Sequence, residues 1–209
     1  MRSPQTAPLR EQIRADPERF GEFVQGWRER LVRMVAIRMD PRLRGRLDAS
    51  DVVQETCAEA VKRLPEWLDG EEIPLHLWLR FLAGQKLIQL HRRHLGTAMR
   101  DPGREVSLER GSAPDASAAT LASAIAESGV LTPSGVAVRA ERLERLQAAL
   151  ESMKPEDREV LVLRHFEQMS NGDVARILGL SAPGASLRYL RAAKRLREIL
   201  AEISGSSST

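Results

Sequence analysis

Cysteine, aromatic side chains and long apolar runs are what these 209 residues have least of. The single cysteine, Cys57, rules out an intrachain disulfide framework and fits a reducing cytoplasm. Set among Val53, Ala60, Val61 and Leu64 at helical spacing, it reads as a small core residue rather than a catalytic thiol. Aromatics make up 4% of the chain, so its core has to be aliphatic, and no alternating polar and apolar stretch marks a strand. No apolar run approaches the roughly 20 residues that cross a bilayer, and the opening MRSPQTAPLREQ lacks a signal-like apolar stretch. A soluble, cytoplasmic protein is expected. Enzyme signatures are missing as well. No Gly-rich loop follows a strand, and no nucleophile stands beside a base. His91 and His94 have no acid or cysteine at ligand spacing to complete a metal site. No enzyme, cofactor or metal is expected.

Charge, by contrast, is abundant. Lys and Arg number 32 against 29 Asp and Glu, a net charge of only +3, so clustering matters more than the total. The densest basic run lies in SNGDVARILGLSAPGASLRYLRAAKRLREIL, residues 170–200. Ser170 caps a first helix with Asp173 three residues on, and Val174, Ile177 and Leu178 form its apolar face. Gly179 suits a tight turn, Leu180 plugs the space between helices, and Ser181 caps a second helix that tolerates Pro183 in its first turn. Arg188, Arg191, Lys194, Arg195 and Arg197 crowd that second helix, while Ala185, Tyr189, Ala192, Ala193 and Leu196 recur on the face that packs inward. A short helix, a glycine turn and a basic amphipathic helix point to a DNA reader rather than a plain helical hairpin with a solvated face.

The remainder reads as helices broken by turns. Residues 1–15 are expected to be loosely ordered. Asp16, Pro17 and Glu18 open a helix whose stripe of Phe20, Phe23, Val24, Trp27, Leu31, Met34 and Val35 runs to about Met39. DASDVVQETCAEAVKRL starts the next, with Val52, Val53, Cys57, Ala60, Val61 and Leu64 facing in and Asp51, Gln54, Glu55 and Glu59 on the other side. Residues 65–74 read as a loop. A strongly apolar helix follows to about His94, central to a bundle, and ends in a second basic cluster of Lys86, His91, Arg92, Arg93, His94 and then Arg100. Gln85 and Gln89 lie beside that cluster, with amides that suit base edges. Residues 101–132 have the Gly, Ser, Ala and Pro content of a linker, although LASAIAESGVL inside them suits a short helix. Thr132, Pro133 and Ser134 open a further helix to about Met153, and another begins after Lys154 and Pro155. The expected fold is all-α: a helical domain over 16–100, a linker over 101–132, a second helical domain over 133–203, and a disordered tail over 204–209.

Two helical domains that each end in a basic helix, joined by a tether, resemble a bacterial extracytoplasmic-function sigma factor. DASDVVQETCAEAVKRL resembles the acidic helix by which the sigma-two domain grips the clamp coiled coil of the polymerase β′ subunit. WLRFLAGQKLIQLHRRH resembles the following helix, which in the family faces the minus-ten promoter element. Residues 150–200 resemble a sigma-four domain, which reads the minus-thirty-five element, and HFEQMSNGDVARILGLS with LRYLRAAKRL is most similar to planctomycete-type members. The resemblance implies core RNA polymerase as partner, through the β′ clamp and the β flap, with promoter DNA and an anti-sigma factor as a further candidate. It implies polymerase contact through Asp51, Gln54 and Glu55. Minus-ten contact would fall to Trp67, Gln85, Lys86, Gln89, Arg92 and Arg93, with Trp67 either stacking on a base or packing in its own domain. Minus-thirty-five contact would fall to Ser181, Ser186, Leu187, Arg188, Leu190, Arg191, Lys194 and Arg195. Ser186 and Leu187 stand where many members carry polar or basic base readers, and Leu190 comes later on the same face; these residues offer apolar contact, for instance with thymine methyls, and one hydroxyl instead. The competing expectation is a dimeric helix-turn-helix regulator that binds operator DNA alone, which leaves the acidic helix without a role.

Overall fold

The computed structural model describes residues 6–43, 46–95, 113–127 and 136–205, and among these every regular element is helical. They divide into two compact units, Met1–Pro114 and Asp115–Thr209. Arg100 and the helix opening at 132–134 lie outside the described residues.

In the first unit α1 (Thr6–Ala15) and α2 (Glu18–Arg38) are followed by a 3-10 turn at Pro41–Leu43, then α3 (Ala49–Lys62), α4 (Leu64–Asp69) and α5 (Leu75–Leu95). The helix starts follow their capping chemistry. The Asp16 carboxylate accepts the Glu18 N–H at 3.2 Å, and Asp48 caps α3 by accepting the Ser50 N–H at 2.8 Å. α2, α3 and α5 pack against one another around Leu31, Met34, Val35, Val52, Val53, Ala60, Leu79, Leu82 and Leu87. α5 is buried along most of its length and is the central helix. Thr56 also sits on the buried face of α3, where its hydroxyl donates to the Val52 carbonyl at 2.7 Å and so satisfies itself inside the helix.

Three expectations for this unit need correction. Residues 6–15 are not loose but helical, and Ile13 of α1 is only 1% exposed in the core. The physical reason lies in two arginines. Arg10 donates to the carbonyls of Gly70 (3.0 Å) and Glu71, and Arg14 donates to the Leu68 carbonyl at 2.8 Å and pairs with Asp69 at 2.6 Å. Together they tie α1 to the chain leaving α4. Residues 65–74 are likewise not one loop, since α4 fills their first half with Pro65 in its first turn, where a missing N–H is harmless. Gly70 ends that helix so closely that an added Cβ would lie 2.6 Å from the Glu66 carbonyl oxygen. Val61, expected to face in, is 62% exposed, because the inward stripe of α3 passes through Thr56 and Ala60 instead.

The second unit comprises α6 (Ala118–Glu127), α7 (Val136–Ser152), α8 (Pro155–Leu161), α9 (Asn171–Leu178) and α10 (Ala182–Gly205). α6 occupies part of the stretch read as linker. It buries Leu121, Ala122 and Ile125 and packs on α7, so that piece of sequence belongs to the second core. Arg158 gathers the end of α7, donating to the Leu150 carbonyl at 2.9 Å and the Met153 carbonyl at 2.6 Å. α8 runs on into a π-helical turn at Val162–Phe166, closed by the Glu167 N–H on the Val162 carbonyl at 3.0 Å. Gln168 then takes a left-handed φ of 55°, and the Met169 N–H returns to the Leu163 carbonyl at 2.8 Å. α10 continues to Gly205, past the expected end of the domain, and 206–209 lie outside the described residues.

Candidate nucleic-acid interface

The turn chemistry read between residues 170 and 184 is present in atomic detail. Ser170 Oγ accepts the Asp173 N–H at 3.1 Å and donates to Asp173 Oδ2 at 2.7 Å, a reciprocal start for α9. Gly179 adopts a left-handed φ of 63°, and the Leu180 N–H returns to the Ala175 carbonyl at 2.8 Å. The Ser181 hydroxyl accepts the Gly184 N–H at 3.1 Å at the head of α10. Asn171 Nδ2 donates to the Ala182 carbonyl at 2.9 Å, a direct strap between α9 and α10 that the sequence reading did not single out.

α10 has two opposed stripes. Ala185, Ala192, Ile199 and Ile203, seven or four apart, are buried. On the other side Ser186, Leu187, Leu190, Arg191, Lys194 and Arg195 are exposed. Arg188 differs from its neighbours: it is half-buried at the flank, with Nη1 4.0 Å from Glu156 Oε2 at the start of α8. Lys194 and Arg195 share Glu198, at 4.0 and 3.5 Å. Ser181 is exposed, but its hydroxyl oxygen is engaged in the cap. Tyr189, expected to face in, is half-buried against His165, with ring centroids 5.6 Å apart and its hydroxyl 3.2 Å from His165 Nε2, while Arg164 lies 5.6 Å over its ring. Burial first, and then the Arg164 charge, lower the His165 pKa.

The first unit carries a second basic stripe and the acidic face. Asp51, Gln54 and Glu55 are all exposed, opposite Val52, Val53, Thr56 and Ala60. Gln85, Lys86, Gln89, Arg92 and Arg93 recur at helical spacing on α5, the first two half-buried and the rest exposed. These two surfaces meet. Lys86 Nζ lies 2.5 Å from Glu55 Oε2, and Arg63 Nη1 donates to Gln85 Oε1 at 3.3 Å. The charge of Lys86 is therefore shared with the acidic helix, while Gln89, Arg92 and Arg93 stand clear of it.

Two residues expected on this surface are elsewhere. Trp67 is 2% exposed: its indole N–H donates to the Ile73 carbonyl at 2.8 Å, Trp78 lies against it at 6.0 Å, and the Arg10 guanidinium sits 4.9 Å over its ring. Of the two readings for Trp67, packing in its own domain is the one realised. His91 is half-buried and its Nε2 accepts the Asp40 N–H at 3.3 Å, with a pKa lowered chiefly by burial. It is a neutral anchor between the ends of α2 and α5 rather than part of the cationic surface. Its neighbour Asp40 is held down to about 2, first by the side-chain hydrogen bond from Arg42. Among the described residues no group of three or more His, Cys, Asp or Glu is placed to hold a metal ion.

Two helical units, one with a helix-turn-helix and each with an outward basic stripe, define a two-domain DNA-binding protein. Family models match both parts: Sigma-70 region 2 over residues 28–96 and Sigma-70, region 4 over residues 143–196. The ECF RNA polymerase sigma factor SigD of Mycobacterium tuberculosis (strain H37Rv) is 25% identical over 192 residues, covering 92% of this chain and 82% of SigD. The RNA polymerase sigma-E factor of Streptomyces coelicolor is 46% identical over 55 residues, 26% of this chain and 31% of that protein. No solved structure is a significant match. The chain belongs to the sigma-70 family, as an extracytoplasmic-function RNA polymerase sigma factor.

Proposed function

We propose that this sigma factor docks on the β′ clamp of core polymerase through Asp51, Gln54 and Glu55. In the same reading it holds the opened minus-ten element along Gln85, Lys86, Gln89, Arg92 and Arg93, and reads the minus-thirty-five element with the outward face of α10. The observation that carries the reading is the division of labour on α3. Val52, Val53, Thr56 and Ala60 fill the inward stripe, so the three polar residues opposite contribute nothing to the core; Asp51 and Gln54 face outward, and Glu55 is exposed while paired with Lys86. A basic stripe on α5 beside that face fits single-strand binding, in which cations track the backbone. Arg191 sits on the reading face of α10, whereas Lys194 and Arg195, farther along, suit phosphate contact. Arg188, leaning on Glu156, flanks the reading face instead of occupying it. The role requires binding and strand capture but no covalent chemistry. No described helix is long and apolar enough to cross a membrane, in keeping with work in the cytoplasm beside the polymerase. The β flap and an anti-sigma factor remain further partners of this reading.

The test is charge reversal. Asp51→Arg with Glu55→Arg is expected to abolish co-purification with core polymerase while the far-ultraviolet dichroism stays helical. Undiminished polymerase binding by that variant would remove the clamp assignment. Run-off transcription by the reconstituted holoenzyme on a genomic fragment library then identifies the promoters served.

A further inference from the structure

The outward face of α10 is not uniformly cationic. Leu187 and Leu190 are 49% and 62% exposed, and with Arg191 and Lys194 they form one stripe at i, i+3, i+4 and i+7, directly opposite the buried Ala185, Ala192 and Ile199. Neither leucine belongs to the core of its unit, so packing does not explain them. Helix propensity does not either, because Lys, Arg or Glu would serve as well on a wet face. A surface that met only phosphates would carry donors at these positions.

Base chemistry narrows the occupant. Thymine alone among the four bases presents a methyl group in the major groove, and an aliphatic side chain is its natural contact. Three helical residues rise about 4.5 Å along the axis. Successive base pairs are separated by roughly 3.4 Å, so two leucines in this register reach neighbouring pairs. Arg191, Lys194 and Arg195 flank the apolar pair, which matches a polyanion and opposes an apolar protein groove. We infer that Leu187 and Leu190 read two neighbouring thymine methyls in the upstream promoter element, which makes them specificity-determining residues. The inference rests on the assignment of α10 as the upstream reader and adds which base it prefers and through which atom.

Deoxyuridine tests it without touching the protein. Reconstituted holoenzyme containing the full chain selects DNA from a pool randomised over the upstream element, and thymines in the selected element are then replaced one at a time by deoxyuridine. Neighbouring T·A pairs are expected to be enriched, and each contacted methyl that is removed should weaken binding about fourfold. Leu187→Ala with Leu190→Ala, exposed sites whose truncation leaves the core intact, should bind thymine and uracil templates equally. A selected element without neighbouring T·A pairs overturns the inference. So does a double variant that still discriminates thymine from uracil as the parent does, or one that loses core polymerase in the absence of DNA. Failure of the holoenzyme to protect any upstream DNA overturns the assignment of α10 itself, and that result is distinct from the others.

Discussion

His91 shows how a single residue changes meaning once its neighbours are known. By sequence it belongs to a run of cations; in the fold its Nε2 must be unprotonated to accept the Asp40 N–H. Its pKa is lowered in the folded state, so the unfolded chain binds the proton more readily and the stabilisation is present above about pH 6.5 and lost as pH falls below it. Asp40 has the same sign at lower pH: held down to about 2, it stabilises above the ordinary carboxylate range and loses that contribution on further acidification. Urea midpoints of the protein are therefore expected to fall between about pH 7 and 5. His91→Gln, which keeps an acceptor but does not titrate, should flatten part of that slope. An unchanged slope would show that His91 is not the group responsible. His165 shifts in the same direction, so the double change His91→Gln with His165→Gln should flatten the curve further. Trp67 is the second case. Trp67→Ala is expected to cost about 3 to 5 kcal/mol of stability as a core truncation, read by chemical denaturation. Loss of minus-ten binding by a variant of unchanged stability would contradict its burial.

At the scale of the element, α1 is the lesson. Its apolar stripe is short, Leu9 and Ile13 four apart, and the two arginines that secure it look in the sequence like solvated surface. They act on carbonyls more than 50 residues away, and no local pattern announces such a pairing. Arg10→Ala is expected to cost about 1 to 3 kcal/mol, because the Gly70 and Glu71 carbonyls and the face of Trp67 lose their partner. Amide exchange across 6–15 should rise well before exchange in α5. Equal protection in variant and parent would mean that Leu9 and Ile13 hold the helix without the arginine. The helix-turn-helix behaves in the opposite way. Ser170, Gly179 and Ser181 act on neighbours one to four residues away, and their residue types at that spacing announce all three roles. The π-helical turn before them was not, since its five-residue closure has no composition of its own.

For the whole molecule the decisive quantity is which charges are free to meet DNA. Arg191→Ala is expected to cost about 1 to 3 kcal/mol of promoter affinity, and Lys194→Ala to weaken all templates alike while lowering the salt slope by about one. Footprints and salt titrations of the holoenzyme separate the two; a sequence-dependent loss from Lys194→Ala would reverse the division between base reading and phosphate contact. The helical class and the caps and glycine turn of the helix-turn-helix are legible in the amino-acid order. Helical periodicity, caps and glycine turns depend on residues within four positions of each other, and those relations are written directly in the chain. What only the tertiary structure decided is the fate of the charged and aromatic residues. Arg10 and Trp67 are drawn into the core, Glu55 holds Lys86, and Arg188 leans on Glu156. Those outcomes depend on which distant backbone or carboxylate comes within hydrogen-bonding reach, a matter of packing that charge and spacing along one chain do not encode.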